Sequence, residues 1–350
     1  MAPSSCTIPE QSLPAWEVAW QEAYRWLCRQ RRNAPANADV WHLRFHWQRE
    51  GTALRQCVEQ GRYRLSPMQA ITNGAGEALA MWSAQDALVL KWVALRVAPY
   101  LPVHERCHHV KGYGCRHSLQ QVDAALRQQN YRHVYRTDIR GYYRHIRKDQ
   151  LAMLVCKWVA DPVLCGLILQ FIDYSVEDGG EFYTPQQGIS RGCALSPLLG
   201  ASLLHHVDAH FAANTEVFYV RYMDDFLLLS PRRWPLRRAI RQLHDFLQPG
   251  GFELHPDKTQ LGRLEKGFDW LGLWFGPEGT TIAPRALNNH RERCLRLYEQ
   301  ARRRGLSESA ANERVRAYQA RWEQWANSLQ AARAIVTIRN QPCEPSYYSY

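Results

Sequence analysis

The sequence predicts an α+β fold, in which an antiparallel sheet is interleaved with helices and a helical region follows. Two apolar runs, at residues 219–222 and 226–229, flank a short polar turn and indicate a buried β-hairpin. Residues 134–139 are a third strand-like segment, which bends at Gly141. Apolar residues at helical spacing mark five segments, at about 13–32, 39–59, 77–97, 119–129 and 148–172. Beyond Gly276 the pattern is helical throughout.

The turn of the predicted hairpin carries two adjacent aspartates, Asp224 and Asp225. Aspartate is a common turn residue, which accounts for one of them. Two adjacent carboxylates, however, repel each other unless a cation neutralises them, and hard divalent ions such as Mg²⁺ are the usual partners. A third carboxylate, Asp138, lies near the end of the strand that precedes Gly141. Carboxylates from two strands that meet at one point predict a metal site for phosphoryl transfer.

Five blocks of sequence, in the expected order, resemble the palm motifs of reverse transcriptases. The blocks are residues 134–143 around Asp138, residues 188–199, Tyr-Met-Asp-Asp at residues 222–225, residues 251–259, and Phe-Asp-Trp-Leu-Gly at residues 268–272. Upstream, residues 61–67 and 110–116 resemble fingers segments of bacterial group II intron-type enzymes. The chain therefore resembles a divergent member of that bacterial branch.

The resemblance implies a right-hand polymerase with fingers, a palm built on an antiparallel sheet, and a helical thumb. It implies an RNA-directed DNA polymerase that extends a primer on an RNA template by two-metal phosphoryl transfer from dNTPs. The expected cofactor is Mg²⁺, as two ions for which Mn²⁺ can substitute. The expected partners are the RNA template, the RNA–DNA duplex and dNTPs, and a cognate non-coding RNA is a further candidate.

The same resemblance assigns the catalytic and metal-binding residues. Asp138, Asp224 and Asp225 are expected to bind the two ions, with Asp225 less central than the other two. The Ile139 carbonyl is expected to be a further ligand beside the nucleotide. Lys258 is a candidate for protonating the leaving pyrophosphate, and the alternative is that it only caps a strand end.

Nucleotide contacts are expected from several further residues. Tyr143, five residues after Asp138, falls at the steric-gate position, where a bulky ring excludes a ribose 2′-hydroxyl; the alternative is an ordinary core aromatic. Lys111 and Arg116 are candidates for contacting the triphosphate from the fingers, although either would also suit a solvated loop.

One block departs from the family pattern. Where group II intron enzymes usually have Pro-Gln, this chain has Ser190-Arg191. Loss of the glutamine puts the usual template contact in doubt, so Arg191 is expected to touch a phosphate instead. Gly192, which follows, is expected to lie beside the nucleotide.

Composition agrees with a nucleic-acid partner. The 350 residues carry a formal net charge of +11 with a pI near 9.3, and 13 Trp and 17 Tyr are interleaved with the basic residues. Such mixtures suit both phosphate contact and base stacking. No run of about 18 uncharged apolar residues and no secretory signal is present, so no membrane partner and a cytoplasmic location are expected. The segment Cys107-His108-His109 with Cys115 lacks the short cysteine spacing of structural zinc sites.

These patterns divide the chain into four parts. Residues 1–60 are predicted to be an N-terminal helical extension, residues 61–276 the fingers and palm, residues 277–340 the helical thumb, and residues 341–350 a flexible tail. From Arg285 to Arg339 there are 12 Arg and 5 Glu. Because the guanidinium fork matches phosphate geometry, a thumb that grips a primer–template duplex is predicted, against the alternative of a solvated helical bundle.

Two further functions stay open from the sequence alone. One is a stand-alone reverse transcriptase of bacterial anti-phage defence with unusual template or priming. The other is a non-catalytic scaffold that binds nucleic acid and assists intron splicing. Retention of all three aspartates argues against the scaffold.

Overall fold

The computed structural model describes residues 16–72, 78–110 and 114–339, and these form two compact units. The first unit comprises the chain up to His104 together with Gly141–His206. The second comprises Glu105–Arg140 and the chain from Val207 onward. Lys111 and the predicted tail at residues 341–350 lie outside the described residues.

The fold mixes helices and strands, as predicted for an α+β protein. The helices of the described residues are α1 (Trp16–Gln30), α2 (Asp39–Phe45), α3 (Trp47–Glu59), α4 (Ala84–Val97), α5 (Cys115–Gln128), α6 (Tyr142–His145), α7 (Lys148–Trp158), α8 (Pro162–Ile172), α9 (Ser196–Leu203), α10 (His205–Ala212), α11 (Arg233–Leu247), α12 (Pro284–Arg303) and α13 (Glu308–Arg339). The strands are β1 (Met68–Thr72), β2 (Ala78–Met81), β3 (His133–Asp138), β4 (Val176–Asp178), β5 (Glu181–Tyr183), β6 (Phe218–Tyr222), β7 (Asp225–Ser230), β8 (Gln260–Arg263), β9 (Phe268–Trp270), β10 (Leu273–Gly276) and β11 (Gly279–Ile282). In the part of the chain described here, no helix combines the length and apolar character needed to span a bilayer.

The first unit contains a four-stranded sheet in the order β2-β1-β4-β5. Its strands pair antiparallel except for β1 and β4, which run parallel. The predicted helix at residues 77–97 is therefore wrong in its first part, because β2 pairs with β1 and the helix begins only after the Ser83 cap. The residues of β2 are Ala, Leu, Ala and Met, which favour helix in isolation, so sheet pairing overrides their propensity.

Two other predicted helices are each divided in the structure. The segment 39–59 forms α2 and α3, which are separated by His46. The segment 148–172 forms α7 and α8, because Asp161 and Pro162 start a new helix there. The Asp161 carboxylate accepts hydrogen bonds from the amides of Val163 at 2.9 Å and Leu164 at 3.0 Å, and proline is well suited to the first position of a helix.

The second unit is built on a four-stranded antiparallel sheet in the order β6-β7-β3-β8. Strands β6 and β7 are the predicted hairpin, and β3 is the predicted strand that ends at Asp138, so both predictions are confirmed. The residues of β7 from Phe226 to Ser230 are buried without alternation. This continuous burial is expected for a central strand covered on both faces.

A second sheet and two long helices complete this unit. The sheet has the order β11-β10-β9, and β11 shows that the all-helical pattern begins at Pro284 rather than directly after Gly276. Helix α13 packs on α12 and on α5. The buried core joins both sheets to α5 and α13 and contains Leu119, Val122, Ala125, Tyr131, Val134, Val220, Leu227, Leu229, Phe268, Trp270, Leu273, Phe275 and Leu329.

Candidate active site

Strand pairing brings the predicted aspartates together where the central strands β3 and β7 of the second unit's sheet end and begin. We call this end of the two strands the aspartate edge. In the register of β3 with β7, Asp138 lies directly opposite Asp225. Asp224 is the neighbouring turn residue, and its carbonyl accepts the Ile139 amide at 3.1 Å. The Asp138 carbonyl in turn accepts the His255 amide at 2.8 Å. Because like charges that face each other across a strand pair destabilise a sheet, this edge requires cations.

The turn between β6 and β7 holds a strained residue. Met223 has a φ of 57°, in the left-handed region that a side chain with a β-carbon rarely adopts. Its amide donates to His109 Nδ1 at 2.9 Å, and its carbonyl accepts from Arg221 Nη1 at 2.8 Å. These two side chains hold the turn in a conformation that sets the direction of the aspartates that follow.

Arg221 is itself fixed by a buried carboxylate. It is fully buried on β6, and its Nε donates to Asp208 Oδ1 at 2.8 Å. The Tyr219 hydroxyl donates to the same oxygen at 2.7 Å. Cys107 contacts the same residues: its backbone forms a β-bridge with Arg221, and its Sγ lies 3.4 Å from His109 Nδ1. The Cys107-His109 segment thus supports the turn.

Two cations lie against the aspartates. Lys258 Nζ forms an ion pair with Asp138 Oδ2. Arg136, two residues before Asp138 on β3, contacts Asp225 Oδ1 at 3.0 Å and Asp269 Oδ1 at 3.2 Å. Residues two apart on a strand share a face, so Arg136 and Asp138 lie on the same side of β3. The Arg136 guanidinium balances the charge of Asp225 on the neighbouring strand.

The electrostatics of the edge favour binding of further positive charge. Burial holds the pKa of the Asp225 carboxyl at about 6, above its usual value. The charges of Asp224 and Asp138 act in the same direction, whereas Arg136 and Lys258 lower this pKa. Asp138 Oδ1 is buried and accepts no hydrogen bond from any described residue. A buried carboxylate oxygen without a donor is costly unless a cation satisfies it.

The donor set fits a hard divalent ion, because all three side chains offer carboxylate oxygens. Within the described residues, no group of three or more His, Cys, Asp and Glu side chains is arranged to hold an ion as it stands. Lys258 and Arg136 instead neutralise two of the three carboxylates.

The other predicted nucleotide contacts are distributed over both units. Arg116 is an exposed residue in the first turn of α5, in the second unit. Tyr143, Arg191 and Gly192 belong to the first unit, and Lys111 lies outside the described residues. The structure thus brings together Asp138, Ile139, Asp224, Asp225 and Lys258, all within the second unit.

In the first unit, the Tyr143 ring lies beside Gly200, in the middle of α9. A β-carbon at Gly200 would approach Cε1 of Tyr143 and Cε1 of Tyr142 to 3.1 Å each, so a glycine allows both rings to lie close to the helix backbone. The Tyr142 hydroxyl donates to the Gly200 carbonyl at 2.7 Å. Gly188 has a φ of +86°, and a β-carbon there would clash with the Arg144 carbonyl oxygen at 2.7 Å. The backbone of residues 188–189 therefore packs directly against the backbone of residues 143–146.

The Ser190-Arg191 departure has a structural reason at its first residue. Ser190 is buried, and its hydroxyl accepts from Trp82 Nε1 at 3.2 Å. Arg191 and Gly192 are exposed and line a cavity of about 320 Å³ within the first unit, together with Trp26, Arg31, Met81 and Trp82 among others. Gly192 has a φ of 76°, which favours glycine, and its β-carbon position faces open space.

Comparison with known families decides the identity. The family model described as reverse transcriptase (RNA-dependent DNA polymerase) matches residues 89–275, just over half of the chain. The chain belongs to the reverse transcriptase family. It is therefore an RNA-directed DNA polymerase, a nucleotidyltransferase whose substrates are an RNA template and dNTPs. Among curated proteins, no sequence matches the chain.

The family match also accounts for the fold and the type of cofactor. It implies a polymerase palm and fingers, in agreement with the mixture of helices and antiparallel sheets. Reverse transcriptases in general use divalent metal ions. The carboxylate edge of β3 and β7 offers the donors that such ions prefer.

Proposed function

We propose that this reverse transcriptase extends primers at the sheet edge formed by Asp138, Asp224 and Asp225, with divalent ions held by these carboxylates. The observation that carries the proposal is the register that sets Asp138 opposite Asp225, next to a buried Asp138 oxygen without a donor. A cation would satisfy this oxygen and relieve the repulsion across the strand pair.

The chain's own residues have separable tasks at this edge. Magnesium ions, when bound, supply charge that stabilises the phosphoryl oxygens and lower the pKa of the attacking primer hydroxyl. Asp138 and Asp224 would provide oxygen ligands, while Met223 and its backbone contacts set the direction of Asp224 and of Asp225, the first residue of β7. Arg136 keeps Asp225 in place.

Lys258 has two states in this proposal. Without substrate, its ammonium group is paired with Asp138. If Asp138 held an ion, Lys258 Nζ would be free of this ion pair and would carry a proton that could pass to the leaving pyrophosphate. Protonation of pyrophosphate by Lys258 predicts that Lys258→Met slows incorporation in a pH-dependent way, whereas a strand-capping role predicts a change in stability only.

Replacement of the aspartates tests the assignment directly. Asp138→Asn and Asp224→Asn should each reduce dNTP incorporation on a primed RNA template by about 100-fold or more, since each lost ligand removes several kcal/mol of charge stabilisation. Asp245→Asn, at an exposed position of α11, is the matched control and should keep full activity. Near-parental extension by both site variants, with Mg²⁺ present, would refute the proposal.

We further propose that Tyr143 is the sugar gate and that α12 and α13 are the thumb that holds the duplex. The support for the gate is its place five residues after Asp138 and its ring beside α9. The support for the thumb is the arginine-rich composition of these helices and the exposure of Arg302, Arg303 and Arg304 at the end of α12.

The lineage is also a proposal. The segments at residues 61–67 and 110–116 support a place in the group II intron-like bacterial branch. A sequence tree built on residues 89–275 tests this assignment. Grouping of the chain with retroviral enzymes, apart from group II intron enzymes, would overturn it.

A further inference from the structure

Helix α11 has one buried face and one strongly basic exposed face. Its buried residues pack on β3 and β7 and are Pro235, Leu236, Ala239, Leu243 and Leu247. The opposite face carries Arg233, Trp234, Arg237, Arg238 and Arg241, all exposed. We call this set, with the preceding Arg232, the α11 basic face.

The arginines of the α11 basic face differ in whether a carboxylate of the protein neutralises their charge. Arg232 and Arg238 both pair with Glu216, at 3.7 Å and 3.3 Å. Arg233, Arg237 and Arg241 form no ion pair with any carboxylate of the described residues. These three are spaced by four residues, so they form a row along one side of the helix with a rise of about 6 Å between neighbours. That rise is comparable with the separation of successive phosphates along one nucleic-acid strand.

An exposed aromatic ring accompanies the row. Trp234 is 72% exposed, the highest value among the large hydrophobic side chains that the structure describes in the second unit. The Arg237 guanidinium lies over its ring, 5.5 Å from the ring centroid. A flat indole with a guanidinium beside it is the combination that binds a base by stacking and its phosphate by charge.

The stability of α11 does not explain this face. Like charges four residues apart on a helix repel each other, so Arg233, Arg237 and Arg241 weaken the helix when alone. The first turn contains no acidic residue, although acidic residues are the favourable ones there. A polyanion lying along the row would reverse the sign of both effects.

We propose that the α11 basic face binds a single-stranded nucleic-acid segment outside the polymerase site, with phosphates on Arg233, Arg237 and Arg241 and a base on Trp234. The bases must be unpaired because a duplex does not offer a base face to the indole. The face is distinct from the aspartate edge: β7 starts at Asp225 and leads through Ser230 to α11, a strand length of about 17 Å. RNA and DNA share this chemistry, so both are tested.

The experiment measures binding of a labelled 12-nucleotide U-rich RNA by fluorescence anisotropy, with an unlabelled primer–template duplex in saturating excess. The variant R233Q/R237Q/R241Q removes the row and should reduce the salt slope of log K by about 2, at roughly 0.7 for each phosphate of a single strand. Trp234→Ala should weaken binding about tenfold, and Trp234→Phe should keep most of the affinity, because every aromatic ring offers a stacking face. The DNA oligonucleotide of matching sequence distinguishes an RNA from a DNA ligand.

The matched control is R25Q/R29Q/R32Q, which removes the same charge from exposed positions within α1 and directly after it. It should leave oligonucleotide binding unchanged, and the α11 variants should keep the parental unfolding midpoint and primer extension. An unchanged oligonucleotide Kd in R233Q/R237Q/R241Q would overturn the proposal. An equal loss in both triple variants would overturn it as well, since the effect would then come from net charge alone. Asp224→Asn should bind the oligonucleotide with the parental Kd. Primer extension by this variant tests the active-site assignment, so a failure of that assignment is distinguished from a failure of the α11 proposal.

Discussion

Replacement of Arg136 by methionine tests the electrostatic design of the active site. Arg136 is 9% exposed, and its guanidinium bridges Asp225 at 3.0 Å and Asp269 at 3.2 Å. Methionine keeps an unbranched side chain that fits the space but leaves both carboxylates without this cation. Two effects follow, one on the free energy of unfolding and one on the pKa of Asp225.

The first effect can be sized from burial. Removing one partner of a buried ion pair costs about 3–5 kcal/mol. The side chains of Asp225 and Asp269 retain 26% and 21% exposure, so water recovers part of this loss. We therefore expect Arg136→Met to lower the free energy of unfolding by about 2–3 kcal/mol at pH 7.5.

The second effect has a definite sign. Arg136 lowers the pKa of Asp225, which burial and the charges of Asp224 and Asp138 hold at about 6. Without Arg136 this pKa rises further, so a larger fraction of Asp225 is protonated near neutral pH and cannot bind a cation. The acid limb of the pH profile for primer extension should therefore move to higher pH.

Urea unfolding at pH 7.5 and primer extension between pH 5.5 and 8.5 measure the two effects. Arg136→Lys keeps a charge but cannot reach both carboxylates with a fork, so it should lie between parent and Arg136→Met. Adding Asp269→Asn to Arg136→Met removes one uncompensated carboxylate and should restore part of the stability. If Arg136→Met unfolded at the parental urea concentration and kept the parental pH profile, the bridge would have no role in either property.

Three further predictions concern other parts of the chain. Tyr143→Ala should admit rNTPs because the ring no longer fills the space of the 2′-hydroxyl; a parental ratio of dNTP to rNTP use would make Tyr143 a core residue. Replacement of Arg302, Arg303 and Arg304 by Ala should weaken duplex binding, shorten products and reduce the salt slope, and an unchanged slope would show that this cluster does not touch phosphate. Burial lowers the pKa of His108 to about 4, so as the pH falls from 6.5 the unfolded chain takes up this proton before the folded protein does. Between pH 6.5 and pH 4 the free energy of unfolding should therefore fall by about 3 kcal/mol more in the parent than in His108→Phe. Equal pH dependence of unfolding in the two proteins would contradict this origin.

The central hairpin and β3 were predictable because each follows a local rule. Apolar runs on both sides of Asp224 and Asp225 are long enough for strands and too short for helices. Their antiparallel pairing then follows from the two-residue turn. The sequence therefore predicts both the strands and the carboxylates that they present.

Elements whose identity depends on distant partners were less predictable. β2 has a helix-forming composition and becomes a strand because β1 pairs with it. β11 follows β10 after the short turn at Pro277 and Glu278, within a stretch that otherwise has the pattern of a helical region. In both cases a neighbouring strand supplies the hydrogen bonds that decide the conformation, and local spacing does not reveal that neighbour.

The partners of the two buried arginines, Arg136 and Arg221, also could not be predicted from local sequence. Arg136 lies between Tyr135 and Thr137 on β3, and Arg221 lies between Val220 and Tyr222 on β6. Both strands are largely buried, and a buried charge requires a buried partner. This signal is readable in the sequence and predicts that carboxylate partners exist. It does not identify them, because Asp208 is 13 residues from Arg221 and Asp269 is 133 residues from Arg136. Residue types thus identify the carboxylates that meet the substrate, whereas the cations that position them are assigned only once the strands are paired.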